Sequence, residues 1–182
     1  MRKIVTLSVG QCGNQVGQVF WERLAAEHGI SMQGVLLHPD DPQVDNKDIF
    51  FYPADDGRYI PRAILIDLEP RVVKRANDGF YNPESTLMLG DTGAGNVWTY
   101  GYHAGTEQHT KLFDVIRREV ETMDSLGGFM MTHSIGGGTG SGLGSYIIEK
   151  LTDYYPGATR LTYSVFPEIS EQSHVVTQFY NS

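Results

Sequence analysis

The sequence predicts a doubly wound α/β sheet with mainly parallel strands, and three observations carry that reading. Short β-rich apolar runs alternate with segments of helical periodicity. Glycines cluster directly after apolar runs instead of spreading through the chain. The strands are continuously apolar, as strands covered on both faces must be.

Ile4 to Val9 reads as a first buried strand ending at Gly10. Val16, Val19, Phe20 and Leu24 follow at helical spacing, and Gly29 stops the pattern as a residue just past a helix end. His38 to Asp48 is rich in proline and aspartate and reads as a solvated loop. Ala63 to Leu68 is a second strand, after which Glu69-Pro70 opens a short helix closed by Gly79. Asn82-Pro83 marks a turn. Leu112, Val115, Ile116, Val120 and Met123 form one helical stripe, and Gly127-Gly128 is expected to break it. Phe129 to Ser134 is a third strand, Leu143 to Tyr154 a helix, Thr159 to Val165 a fourth strand, and Val175-Val176 a short further one.

The chain has 182 residues, which suits one domain with a real core. With 14 Lys+Arg against 22 Asp+Glu the formal charge is −8, which argues against a nucleic-acid binder or a polybasic membrane binder. No apolar run approaches the roughly 18 residues of a membrane span. Met1-Arg2-Lys3 leads into a strand and not into a signal peptide. The single cysteine, Cys12, allows no internal disulfide and fits a reducing compartment. The six histidines show no metal-ligand spacing. Trp21 and Trp98 read as packing residues.

The strongest signal is Ser134-Ile-Gly136-Gly137-Gly138-Thr139-Gly140-Ser141-Gly142, set between a strand and a helix. Glycines there let main-chain N–H groups approach an anion, and the helix start adds its own N–H groups and the positive end of its dipole. Thr139 and Ser141 add hydroxyls. The arrangement suits a di- or triphosphate. A P-loop is absent, because Leu143 stands where its Ser/Thr-preceding lysine would be. A flexible glycine linker is the bland alternative, and the clear strand and helix flanks argue against it.

Those residues resemble the signature loop of the tubulin family. Gly10-Gln11-Cys12-Gly13-Asn14-Gln15 resembles that family's first nucleotide loop, and Gly93-Ala94-Gly95-Asn96 its third. The resemblance spans nearly the whole chain and implies a Rossmann-like nucleotide-binding domain. Several phrases are most similar to the γ-tubulin branch: Phe50-Phe51-Tyr52 with Ala54-Asp55-Asp56, Tyr59-Ile-Pro-Arg62-Ala63, Asp124-Ser-Leu126 and Tyr163-Ser-Val-Phe-Pro167.

The resemblance implies a GTP-binding subunit that nucleates microtubules at organising centres such as the centrosome or spindle pole, with GTP and Mg²⁺ as cofactors. It implies self-association and, as partners, α/β-tubulin dimers and γ-tubulin-complex proteins. Residues 1–182 then correspond to an N-terminal GTP-binding domain incomplete at its C-terminus, with Ser182 placed as an N-cap for a following helix. The intermediate and C-terminal domains, the guanine-reading asparagines and the hydrolytic acid would lie beyond. That acid would act on nucleotide held by a neighbouring subunit, so no catalytic residue is assigned.

By the same resemblance Gly10, Gln11, Cys12 and Gln15 line the nucleotide, Ala94, Gly95 and Asn96 sense the γ-phosphate, and Gly136 to Gly142 hold the phosphates. Ser134, Val165, Pro167 and Ser173 would stand near ribose or base. His174 departs from the acid common at its position, Gln178 stands where an acid or amide is usual, and Phe179 replaces a common proline. Cys12 equally suits a small buried apolar role. Gly95-Asn96 alone is also an ordinary turn. Asp67 and Glu69, one residue apart at a strand end, suit Mg²⁺ or, for Glu69, a helix N-terminal charge effect; the resemblance favours the metal, Glu69 more than Asp67. The rivals are another tubulin branch forming the microtubule lattice, a prokaryotic-type division GTPase, and a dinucleotide-binding oxidoreductase, whose Gly-x-Gly-x-x-Gly turn is missing after the first strand.

Overall fold

The computed structural model describes residues 1–38, 46–71 and 79–167. Its centre is a parallel sheet in the order β5-β4-β1-β6-β7. The strands are β1 (Lys3–Val9), β4 (Ala63–Asp67), β5 (Thr86–Met88), β6 (Leu126–Ser134) and β7 (Thr159–Val165). A separate antiparallel hairpin pairs β2 (Phe51–Pro53) with β3 (Tyr59–Pro61). The helices are α1 (Gly10–Glu27), α2 (Trp98–Glu107), α3 (His109–Glu121) and α4 (Gly144–Tyr154), the last preceded by a π-helical turn over Thr139–Leu143. The doubly wound α/β expectation therefore holds. No helix among the described residues is long and apolar enough to cross a membrane.

Alternation along β1 divides the core. Val5, Leu7 and Val9 point into one cluster with Ile64, Ile66, Phe129 and Met131, covered by Leu112 and Ile116 of α3 and Ile147 and Leu151 of α4. On the other face Trp21 and Ala25 of α1 meet Phe51, Leu65, Phe80 and Tyr81. Trp21 is fully buried, with edge-on ring contacts to Phe20, Phe50 and Phe51.

The structure adds detail at three places. The buried face of α1 is Gly13, Asn14, Gly17, Trp21 and Ala25, while Val16 and Val19 are exposed. Small residues face the sheet because the helix sits too close for anything larger: a Cβ on Gly13 would lie 2.2 Å from the carbonyl oxygen of Thr132. Gly127-Gly128 does not itself end the stripe's helix, which stops at Glu121, but belongs to β6. The register slips between Lys3 and Ile4, and Gly128 passes so near β7 that a Cβ would meet the Thr159 carbonyl oxygen at 2.3 Å. Finally, α2 and the short strands β2, β3 and β5 add to the elements read from sequence. The helix expected after Pro70 falls mostly in residues 72–78, and the strand at Val175-Val176 in residues 168–182, outside the described residues.

Strand β7 presents Leu161, Tyr163 and Val165 at 48%, 54% and 40% exposure, so the alternation seen in its sequence is not a buried face among the described residues.

The tight seat of α1 gives a direct test. Gly13→Ala is expected to cost about 1–3 kcal/mol by overpacking. Gly157→Ala, where nothing lies within 4 Å, should stay within about 0.5 kcal/mol of the parent. Denaturant titration of both variants measures the difference; equal stabilities would contradict the packing described.

Candidate functional site

The chain runs from β1 to β4 and β5 on one side of the sheet, then to β6 and β7 on the other. β1 is thus the topological switch point, where an open α/β sheet forms its crevice at the strands' carboxyl ends. A cavity of about 460 Å³ lies there. Its wall is made by Gly10, Gln11, Cys12 and Gln15 from the start of α1, Asp67 and Glu69 after β4, Gly93 to Asn96 before α2, and Ser134 with Gly136 to Gly140 after β6. Segments far apart in sequence converge because β4 and β6 both pair in parallel with β1 and end level with it, Val9 opposite Ile66 and Ser8 opposite Thr132.

Buried side chains turn the loop carbonyls away from this cavity. Asn14, 2% exposed, donates from Nδ2 to the Gly10 carbonyl at 2.9 Å and to the Ile66 carbonyl at 3.1 Å. Behind the wall, Thr132 donates its hydroxyl to the Gly13 carbonyl inside α1 at 2.9 Å and ties that helix to β6. His133 contacts the Gly140 carbonyl at 2.9 Å through Nδ1. Ser141 donates to the Gly137 carbonyl, with a longer contact to that of Gly138. A peptide unit whose oxygen is held back presents its N–H forward. The first N–H groups of α1 and of the helix after the glycine run have no partner within the helix. The cavity therefore collects main-chain donors.

The turn over Gly93 to Asn96 adds a third set. Gly93, Gly95 and Asn96 have φ of +73°, +55° and +59°. Gly93, Ala94 and Gly95 alternate in hand, as in an anion-binding nest, while Asn96 repeats the hand of Gly95 and the Gly93 N–H is taken by the Leu68 carbonyl at 3.2 Å. Asn96, whose amide tolerates the left-handed region, is the one such non-glycine residue among those described.

Other side chains on the wall are polar or acidic. Cys12 is half-buried, and burial pushes its thiol pKa up, away from thiolate chemistry. Asp67 is buried; its Oδ1 accepts from the N–H groups of Leu68 and Glu69 at 2.7 and 3.1 Å, while Oδ2 has no partner. Desolvation raises its pKa to about 6, against the lowering effect of those two N–H groups. Glu69 is held through Oε1 by Arg71, with Nη2 at 2.6 Å. An orphaned buried carboxylate oxygen beside a second carboxylate fits a hard divalent cation, since Mg²⁺ takes one or two carboxylates and completes its shell from water and phosphate. No Lys or Arg lines the cavity among the described residues.

Of the residues read from sequence, Ser141 and Gly142 stand behind the wall, and Val165, which is exposed, is not part of it. Ser141 is 2% exposed with its hydroxyl spent on carbonyls. Gly142 is pressed against α2, where a Cβ would lie 2.0 Å from the Trp98 carbonyl oxygen. Val165 offers its carbonyl to the Ile135 N–H and the Ser134 hydroxyl. Pro167 lies beside Gly136; Ser173, His174, Gln178 and Phe179 are outside the described residues. Val9 and Thr92 line the cavity without having been singled out, though each adjoins a glycine that was.

A carboxyl whose pKa is raised in the folded state holds a proton that the unfolded chain has released. Its stabilisation is complete below the ordinary carboxylate range and is lost as pH rises. For Asp67 that window runs from about 3.8 to about 6, and Glu119, raised to about 7 by burial, acts in the same direction. The difference in unfolding free energy between the ligand-free parent and Asp67→Asn should therefore shift against the parent as pH rises across this range. Identical slopes for the two proteins in denaturant titrations from pH 4 to 7 would show Asp67 ionised throughout.

The model of the Tubulin/FtsZ family, GTPase domain, matches residues 3–182. The match takes in β1, every segment around the cavity and the whole sheet. The chain belongs to the Tubulin/FtsZ family and carries its GTP-binding domain.

Proposed function

We propose that this cavity holds the phosphates of GTP together with Mg²⁺, and that the chain is the nucleotide-binding part of a γ-type tubulin that nucleates microtubules. The supporting observation is the cradle itself: main-chain groups from three loops around one strand end, with the carbonyls of Gly10, Gly140 and Gly137 drawn back by Asn14, His133 and Ser141. Gly136 to Gly140 and Gly93 to Asn96 would hold the phosphates. Gln11, Cys12 and Gln15 would face the rest of the nucleotide, and Ser134 the sugar side. Ser141 and Gly142 would act from behind, and Val165 through its carbonyl, by holding the loop. Asp67 and Glu69 would hold Mg²⁺, which supplies charge neutralisation of the phosphate oxygens.

The γ assignment rests on sequence phrases that the fold places in the β2–β3 hairpin, in the link from α3 to β6, and along β7. Self-association and binding to other tubulin-like subunits accord with family membership. α/β-tubulin dimers and γ-tubulin-complex proteins are the proposed partners, and a microtubule-organising centre the proposed location. Hydrolysis, in this reading, draws its acid from an adjoining subunit.

Binding of GTP, ATP and NAD to the complete protein, with and without Mg²⁺, tests the first part. GTP with Mg²⁺ should bind best; a preference for NAD would reject the reading. Gly137 gives a clean probe, because a Cβ there meets only the Asn96 side chain, 3.9 Å away. Gly137→Val should weaken GTP binding tenfold or more, about 1.4 kcal/mol, with the ligand-free melting temperature unchanged. For the second part, substoichiometric protein should shorten the lag of α/β-tubulin polymerisation. Stoichiometric incorporation along the polymer would instead mark a lattice subunit.

A further inference from the structure

We propose that His133 is a positioning residue that sets the width of the phosphate-binding turn, through a hydrogen bond from its Nδ1–H to the carbonyl of Gly140. The inference rests on the cavity being a nucleotide site, and adds which buried side chain tunes it.

His133 is the next-to-last residue of β6, 6% exposed, directly beneath the glycine run. Its Nδ1 lies 2.9 Å from the Gly140 carbonyl oxygen, and its Nε2 lies 2.8 Å from Ser164 Oγ on β7, its paired residue in the sheet. A carbonyl has no proton to give, so Nδ1 must be the donor. Burial lowers the ring's pKa, which favours the neutral form. Nε2 of that form has only a lone pair, so the Ser164 hydroxyl donates to it. Both nitrogens are thus committed, and one tautomer satisfies them.

Gly140 lies within the π-helical turn. Such a turn is wider than an α-helical one and recurs at functional sites. Its position is already constrained from above, because a Cβ on Gly10 would lie 3.0 Å from the Gly140 amide nitrogen. It is constrained from the side as well, since a Cβ on Gly140 would meet the Ser134 carbonyl oxygen at 2.6 Å. The imidazole is the one side chain among the described residues that hydrogen-bonds the Gly140 carbonyl from below. It links the turn to two strands, β6 through its own backbone and β7 through Ser164.

Two substitutions separate positioning from mere packing. The side-chain amide nitrogen of His133→Asn falls near the Nδ1 position and can still donate to Gly140. That of His133→Gln falls near Nε2 and reaches Ser164 instead. GTP binding with Mg²⁺ should stay within about threefold of the parent in His133→Asn and weaken about tenfold in His133→Gln, as for one lost hydrogen bond. Melting temperatures of the ligand-free variants should fall by similar amounts. The reverse order of affinities, or losses of affinity that simply follow the melting temperatures, would overturn the proposal. If the parent protein binds no nucleotide, the cradle reading itself fails. Imidazole ¹⁵N NMR of the unmodified protein then decides the His133 geometry independently of any variant: an Nδ1–H tautomer coupled to the Gly140 carbonyl is expected, and an Nε2–H tautomer would refute it.

Discussion

The organisation of this domain depends on carbonyl oxygens being held away from one small volume. A loop of glycines offers donors and acceptors in equal number, and an anion is repelled by the second as much as it is drawn by the first. The bias comes from beneath. Asn14, His133 and Ser141 each take a carbonyl of the cavity wall into a buried hydrogen bond, those of Gly10, Gly140 and Gly137. All are nearly inaccessible to water, so losing one would leave a stranded carbonyl as well as a mispointed amide. The polar residues at the strand ends, which break an otherwise apolar sheet, therefore have a common reason to be there.

That polar layer explains the packing around it. Ser8 and Thr132 face α1 where a hydrophobic sheet would carry valine or isoleucine, and they hydrogen-bond each other at 3.2 Å. Short side chains there draw the helix in, until Gly13 and Gly17 touch the strands. The close seat brings the N-terminus of α1 to the cavity. On the opposite face the same economy recurs: Gly101 of α2 rides over the Gly138 carbonyl and Gly142 over that of Trp98, so α2 and the glycine run are mutually in contact. Glycine is thus used in two distinct ways. Some line the cavity, while others, such as Gly13 and Gly142, let backbone meet backbone behind it.

This double use marks what was legible in the sequence. The strand-to-glycine junctions identified the sheet, its mostly parallel pairing and the cavity-lining loops, because a β-rich run ending in glycine has few other uses. The helix α2 was not legible. Its residues Gly101 and Gly105 have low helix propensity and interrupt the apolar period, yet both are needed because a Cβ would strike the Gly138 carbonyl and the Tyr146 ring. On α1 the apolar spacing marked the helix, and Phe20 and Leu24 do pack against the core, but the closest approach falls at Gly13 and Gly17, which no apolar spacing reveals. Ser141 looked like a phosphate donor from its motif, and its hydroxyl proves to be engaged within the loop. Motif spacing locates a loop; it does not say which members face the ligand and which hold the turn.

The charge balance of the cavity carries the reasoning one step further. The wall contains two carboxyl groups and, among the described residues, no cationic side chain. Arg71 stands at the edge, but its guanidinium is engaged with Glu69 and 84% exposed, where water screens it. Helix starts supply only about half a charge each. A triphosphate placed here would face more negative charge than those dipoles offset, and burial makes ionisation of Asp67 itself unfavourable. In the proposed reading, then, the phosphates need a cation to stand against Asp67 and Glu69, and Asp67 needs one to offset its desolvation. A P-loop lysine would supply that charge permanently. On that proposal, its absence would make occupancy by nucleotide and by metal a single linked event.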